Sequence, residues 1–230
     1  MLYFYNKNMI TLSQVKQNKH VLEFIGQTEK TLSALSFTDH GLRHANITAE
    51  RATRIAKDIG LDARAQELAG IASFCHDMGN FISRSHHNYF TSILFYQLFN
   101  KDFDSDELGV LMQAIANHDK SQEDMSFANP ISAIVVLADK SDVHRSRVIT
   151  KKIEDIKTDI HDRVNYATTE CQLKVDKTKK RITLTLKIDT NFVPIMEYFE
   201  IFTDRMVFCR LAAEYLGHSF GLVINNFRLL

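Results

Sequence analysis

The 230-residue sequence has no excess of either charge sign: Lys plus Arg and Asp plus Glu both number 28, so the formal net charge is zero. A protein that coats nucleic acid needs a basic field, and composition supplies none. Cysteine is scarce. Cys75, Cys171 and Cys209 are odd in number, widely spaced and set among apolar neighbours. They fit reduced thiols in a cytoplasmic protein better than a disulfide framework or a zinc site. Long apolar runs are missing too, since the longest, Ile131 to Ala138 with one Ser, falls far short of the roughly 20 residues a bilayer requires. With two prolines and eight glycines there is no Pro- or Gly-rich linker, and there is no internal repeat or low-complexity tract. Residues 1 to 8 start apolar, but no basic region precedes them and no small-residue cleavage site follows. They are expected to be a loose extension rather than a signal peptide. The length suits one large domain, or one domain with a small appendage, around a proper core.

What the sequence does contain is helical periodicity that repeatedly ends on a metal-ligand type of side chain. Leu12, Val15, Val21, Phe24 and Ile25 predict one or two helices to about Ser36. Thr38-Asp39 offers an N-cap for a helix from His40 to Ile59, stopped by Gly60, with His44 on the face of Ile47. Asp62 caps the next helix, whose apolar residues Leu68, Ile71, Ala72 and Cys75 lead to His76-Asp77, and Gly79 stands where a left-handed cap would end it. His87 points inward from the first turn of a helix expected to bury Phe90, Ile93, Leu94 and Leu98, while His86 is rotated away. His118 continues the stripe of Leu108, Leu111, Met112 and Ile115, with Asp119 offset from it by about one hundred degrees. Asn129-Pro130 starts a helix that is apolar nearly all round, expected to be central, with Asp139 directly after its most hydrophobic stretch.

Beyond about residue 160 the pattern changes. Glu170 to Asp176 and Arg181 to Asp189 alternate with period two around the charged turn Lys177-Thr-Lys-Lys180, predicting an antiparallel hairpin. A helix follows from Pro194 to about Leu216, and His218 to Asn225 reads as a last strand beside the hairpin. The expected fold is therefore mainly α: a helical domain over 1–160 and a small C-terminal α+β subdomain over 161–230, built of hairpin, helix and strand.

A His-Asp dipeptide alone is weak evidence, because the chain holds three, at His76-Asp77, His118-Asp119 and His161-Asp162. A hydrogen-bonded His beside a capping Asp is the ordinary explanation of one such pair. Six inward-facing residues at successive helix ends, His44, His76, Asp77, His87, His118 and Asp139, are a different matter. Burying each polar group costs roughly 1–3 kcal/mol unless something satisfies it, and a metal ion satisfies imidazole and carboxylate together.

This order, His, then His-Asp, then a later Asp, resembles the HD superfamily of metal-dependent phosphohydrolases. The likeness covers roughly residues 38 to 148, through Asp39-His-Gly-Leu-Arg-His44, Cys75-His-Asp-Met-Gly79 and Leu137-Ala-Asp139-Lys-Ser-Asp142. His87 and His118 resemble the additional ligands of its two-metal members, and the C-terminal part resembles that of a bacterial subgroup. The resemblance implies an HD-type helical bundle with one metal on His44, His76, Asp77 and Asp139, and a second on Asp77, His87 and His118. It implies catalytic roles for His76 and Asp77 around a metal-activated hydroxide that attacks phosphorus. Mixed ligation suits one or two divalent ions of Fe, Mn or Zn. Lys140, Arg145, Arg147, Arg84 and Arg163 are candidates for gripping phosphate oxygens, each with a surface charge or structural ion pair as its plainer explanation.

Two departures matter. Asn80 stands where many members have Lys, and after His118 come Asp119 and Lys-Ser-Gln-Glu-Asp-Met-Ser-Phe instead of the paired His and Gly-Tyr-Pro of the cyclic-dinucleotide phosphodiesterases. The expected activity is hydrolysis of a nucleotide-like phosphomonoester or phosphodiester in the cytoplasm. The expected partner is a small-molecule phosphoester, with no membrane and no nucleic acid polymer, and a homodimer is left open. The alternatives are an HD-type di-iron oxygenase and a non-catalytic metal- or nucleotide-binding sensor.

Overall fold

Most helices begin where a side chain can satisfy the first free amide groups. In the computed structural model, which describes residues 9–120, 125–150 and 152–230, Thr11 caps α1 (Leu12–Lys16) and Asn18 caps α2 (Lys19–Ala34). Asp62 caps α4 (Ala63–Cys75), which follows α3 (Leu42–Ile59). After α5 (His87–Phe99), Asp104 caps α6 (Ser105–Asn117), and Asn129 caps α7 (Pro130–Lys140) with Pro130 in its first turn. A 3-10 turn (Arg145–Arg147) leads to α8 (Ile153–Ile156) and to α9 (Ile160–Ala167), capped by Asp159. The C-terminal part contains β1 (Thr168–Asp176), β2 (Arg181–Ile188), α10 (Ile195–Tyr215), β3 (Ser219–Ile224) and β4 (Phe227–Arg228). The expected extension over residues 1 to 8 lies outside the described residues. Among those described, no helix is long and apolar enough to cross a membrane.

The fold is mainly α with a small C-terminal α+β part, and α7 is its axis. All residues of α7 from Ile131 to Lys140 are buried, and it packs against α3, α4, α6 and α10. Alanines dominate the buried face of α3 (Ala45, Ala49, Ala52, Ala56) and recur in α4 (Ala69, Ala72), so these two helices approach closely. The sheet runs in the order β1-β2-β3-β4. Its first and last pairs are antiparallel, while β2 and β3 are parallel because α10 returns the chain across the sheet. Ile182, Leu184, Leu186 and Ile188 alternate into the core on β2, and α10 joins this layer to α7.

Three local expectations need correction. Phe90 and Ile93, expected inside, are exposed, because α5 turns Asn88, Thr91 and Ser92 inward to hydrogen-bond Ala116, Gly79 and Met112, with Phe95 and Phe99 on the same buried face. The third helix starts at Leu42, not at His40, because the Asp39 carboxylate takes the Gly41 amide (2.8 Å) and the Arg43 guanidinium instead of capping a helix turn. Gly79 is not a left-handed cap. The helix ends at Cys75, residues 76–82 run on as turns, and the positive-φ glycines among the described residues are Gly60 and Gly217. Glycine is needed at 79 for another reason. A Cβ there would meet the Thr91 amide nitrogen at 2.7 Å and the His87 carbonyl oxygen at 3.0 Å, so α5 could not lie against this turn.

Candidate metal centre

Helix ends deliver the polar residues of the site. His44 sits in the first turn of α3, His76 follows the last residue of α4 with Asp77 next to it, and His87 opens α5. His118 follows α6, and Asp139 lies in the last turn of α7. All six are buried, the histidines almost completely.

The four imidazoles are oriented before any ion is considered. His76 Nδ1 donates to the Ser73 carbonyl (2.7 Å), His87 Nδ1 to the Arg84 carbonyl (2.9 Å) and His118 Nδ1 to the Ile115 carbonyl (2.6 Å). Each acceptor lies three residues back in the chain. His44 Nδ1 donates instead to Asp142, at 2.8 Å. A carbonyl can only accept, so these contacts put the proton on Nδ1 and leave a lone pair on Nε2. The Nε2 atoms of His44 and His76 then stand 3.3 Å apart, and those of His87 and His118 3.0 Å apart. Ring nitrogens facing each other beside carboxylates call for a cation between them, whether a proton or a metal ion.

Asp77 joins the two histidine pairs. Its Oδ2 lies 3.3 Å from His76 Nε2 and 3.6 Å from His44 Nε2, while its Oδ1 lies 3.1 Å from His87 Nε2 and 3.5 Å from His118 Nε2. Asp139 Oδ1 closes the first group, 3.4 Å from His44 and 3.7 Å from His76. Three overlapping sets could hold a metal ion: His44, His76 and Asp77; Asp77, His87 and His118; and His76, His118 and Asp139. The donor set fits a borderline transition metal, and the backbone and carboxylate contacts behind the rings are the usual way such ligands are oriented.

With no ion considered, protons respond to the same field. Burial opposes charge on His76, but Asp77 and Asp139 outweigh it and raise its pKa to about 10. Burial would raise the Asp77 carboxyl, yet the His76 charge and the surrounding imidazole hydrogen bonds hold it well below the ordinary range. Asp139 is likewise held low against burial, chiefly by Lys140. Burial lowers His118.

A cavity of about 200 Å³ opens onto this cluster, and cations line it as well. Lys140 lines it and bridges Asp139 (3.0 Å) and Asp119 (2.9 Å), although sequence neighbours on a helix point to different faces. Arg84 lines it and is held by Asn80 Oδ1 at 2.9 Å, while the Asn80 amide donates to Asp77 Oδ1 at 2.9 Å. Arg147 also reaches the wall, but its guanidinium is occupied by the backbone carbonyls of Asp142 (2.8 Å) and Asp39 (3.1 Å). Arg145 lies over the Tyr166 ring and Arg163 pairs with Glu197; neither lines the cavity.

Sequence reasoning missed four residues here. Asp142 anchors His44 and Arg43, and its spacing of three from Asp139 was the available signal. His40 lines the cavity with its Nδ1 on the Thr38 carbonyl (2.6 Å) and its Nε2 facing Arg147 (3.2 Å), and burial keeps it neutral by lowering its pKa. Asp119 was placed off the stripe but not at the cavity. Arg205 reaches the site from α10, 66 residues beyond Asp139, and no local pattern points to it.

No protein-family model matches the chain, and no curated protein matches it. Among solved structures, the chain is similar to the crystal structure of a predicted HD superfamily hydrolase from an uncultured Thermotogales bacterium. The TM-score is 0.43 and the identity 18%, over 59% of this chain and 75% of that one.

Proposed function

We propose that the protein is a metal-dependent phosphohydrolase of HD type, acting on a nucleotide-like phosphomonoester or phosphodiester. One observation carries this reading: a single small cavity is lined both by members of the His/Asp cluster and by the cations Arg84, Lys140 and Arg205. Divalent ions bound at the cluster would supply Lewis acidity and an activated water. His44, His76, Asp77 and Asp139 would hold one ion, and Asp77, His87 and His118 a second, with Asp77 shared. The protein's own side chains do the rest. Arg84 and Lys140 face a phosphate group entering the cavity and offset charge that builds on its oxygens. Asn80 occupies the position where the sequence likeness would have Lys, and it positions Arg84, so the positive charge is supplied four residues later. The C-terminal subdomain, in this reading a separate unit from residue 161, provides the outer wall through α10.

The same six ligands would serve a di-iron oxygenase, and the cationic wall favours phosphate chemistry over it. The test is to load the protein with Mn under anaerobic conditions and assay a phosphatase and phosphodiesterase panel. Phosphate or nucleotide release that ends with Asp139→Ala is the expected result. Iron-dependent oxygen consumption with no ester cleaved under any metal would overturn it in favour of the oxygenase, and silence in both assays with intact metal would favour a sensor.

A further inference from the structure

A second cavity, of about 390 Å³, lies beside the first and shares His40, Arg84 and Arg205 with it as common wall. Its outer side is formed by Phe37, Asp159 and His161. Three features of this junction stand out. Arg205 is half-buried and, among the described residues, has no hydrogen-bond or ion-pair partner; its guanidinium only lies over the Phe202 ring, 4.8 Å from the centroid. A planar cation with five donors that is partly removed from water and left without an acceptor is a strong anion-binding group. Burial and the neighbouring charges of Arg147 and Arg84 both disfavour its charge, opposed by Asp139 and Asp119, so an arriving anion would relieve it. Next, Arg84 stacks over Phe37, 5.7 Å from the ring centroid, while being held from behind by Asn80. Last, Phe37, three residues past the end of α2, is 42% exposed. Ser36 before it has φ +60°, a left-handed conformation uncommon for a residue with a side chain, which ends α2 and turns Phe37 outward.

We infer that Arg205 and Arg84 form a neck that binds the phosphate group of the substrate, and that the outer cavity takes a flat, ring-bearing organic part of the same molecule against Phe37. The inference rests on the phosphoester reading above and deepens it: the substrate class is a phosphate ester whose remainder carries a planar ring. Asp159, half-exposed at the rim, accepts hydrogen bonds from donors on that ring system. Arg205 thereby makes the C-terminal subdomain part of substrate binding.

The test measures binding, not turnover. Mn-loaded protein is titrated calorimetrically with inorganic phosphate, methylphosphonate and phenylphosphonate, none of which can be hydrolysed as an ester. Loss of one charge-assisted contact predicts that Arg205→Ala weakens all three by roughly 10- to 100-fold with unchanged metal content. Phe37→Ala is expected to leave phosphate and methylphosphonate untouched and to abolish a preference for phenylphosphonate of about tenfold. If Arg205→Ala does not fold, Arg205→Gln removes the charge at similar length and is read in its place. The inference is overturned if the folded variant binds phosphate as the parent does, if the parent binds none of the probes, or if it shows no preference for the phenyl group. Intact binding effects with no ester cleaved under any metal would sink the hydrolase reading alone, and ester cleavage with both variants neutral would sink this one alone.

Discussion

At the scale of single residues, the site depends on which atom of each side chain is already engaged. Among the described residues, Asp77 is the one carboxylate whose two oxygens face different histidine pairs. Asp77→Ala should therefore remove nearly all bound metal, and full metal content by elemental analysis would contradict the shared-ligand assignment. Asp142 touches no candidate ion but fixes the ring of His44. Asp142→Ala should weaken metal binding by roughly 10- to 100-fold with His44 still present, as losses behind a ligand typically do. A chelator competition showing unchanged affinity would place Asp142 in a purely structural role. The pKa of about 10 on His76 means that the metal-free site holds a proton near neutral pH. Metal loading at pH 7 should release that proton, read as a dependence of the calorimetric heat on buffer ionisation enthalpy. The inward direction of His44 and His118 was legible from periodicity because each lies on or beside an apolar stripe, whereas His87 was read from a stripe through Phe90 and Ile93 that is exposed, and α5 buries Asn88, Thr91, Phe95 and Phe99 beside it instead. The anchors were legible only in part. Three rings use a carbonyl three residues back, which any His at a helix end can do, whereas His44 relies on a residue nearly a hundred positions away.

Among elements, sequence and structure agree best where a cap sets the boundary. Asp62 and Asn129 accept amides of the following turn as their positions suggested, and Asp104 does the same for α6. Asn129→Ala should cost about 1 kcal/mol in thermal or denaturant unfolding, since α7 is the buried axis and its start has no other side-chain cap. Gly79 was legible as a special position but not for the right reason. Its need comes from the backbone of α5 pressed against it, a tertiary contact that no local pattern carries. Gly79→Ala should destabilise the fold by about 1–3 kcal/mol and displace α5, whose first residue is His87. The expected signature is loss of the ion nearer His87 and His118 before the other, and a variant with parental stability and metal content would refute the close-approach argument.

For the molecule as a whole, the charges of the site set how stability varies with pH. His76 has its folded pKa raised above the ordinary 6.5, so its contribution is complete below that pH and is lost as pH climbs toward about 10. Asp77, Asp139 and Asp142 are depressed below 3.8, so their contributions are present above that pH and are lost on further acidification. His40 and His118, lowered below 6.5 by burial, work the other way, and their contribution is lost as pH falls beneath that value. The metal-free protein should thus melt highest at about pH 6.5, and its melting temperature should fall from there to pH 9. Loaded protein should lack that alkaline decline, because a ligating imidazole carries no proton to lose. At this scale the α+β composition was readable from the switch to period two after residue 160. The meeting of α10 with the metal-ligand cluster was not, since it depends on how a parallel β2-β3 crossover lays that helix over α7.

The six candidate ligands come from five helix ends spread between His44 and Asp139, most of the helical body. Once loaded, such a centre is a reversible staple: no helix among α3 to α7 can peel away without surrendering a bond to the ion. Resistance to proteolysis should then be governed by the dwell time of the metal, and a brief chelator pulse, not heat, would be the switch that exposes the chain to turnover.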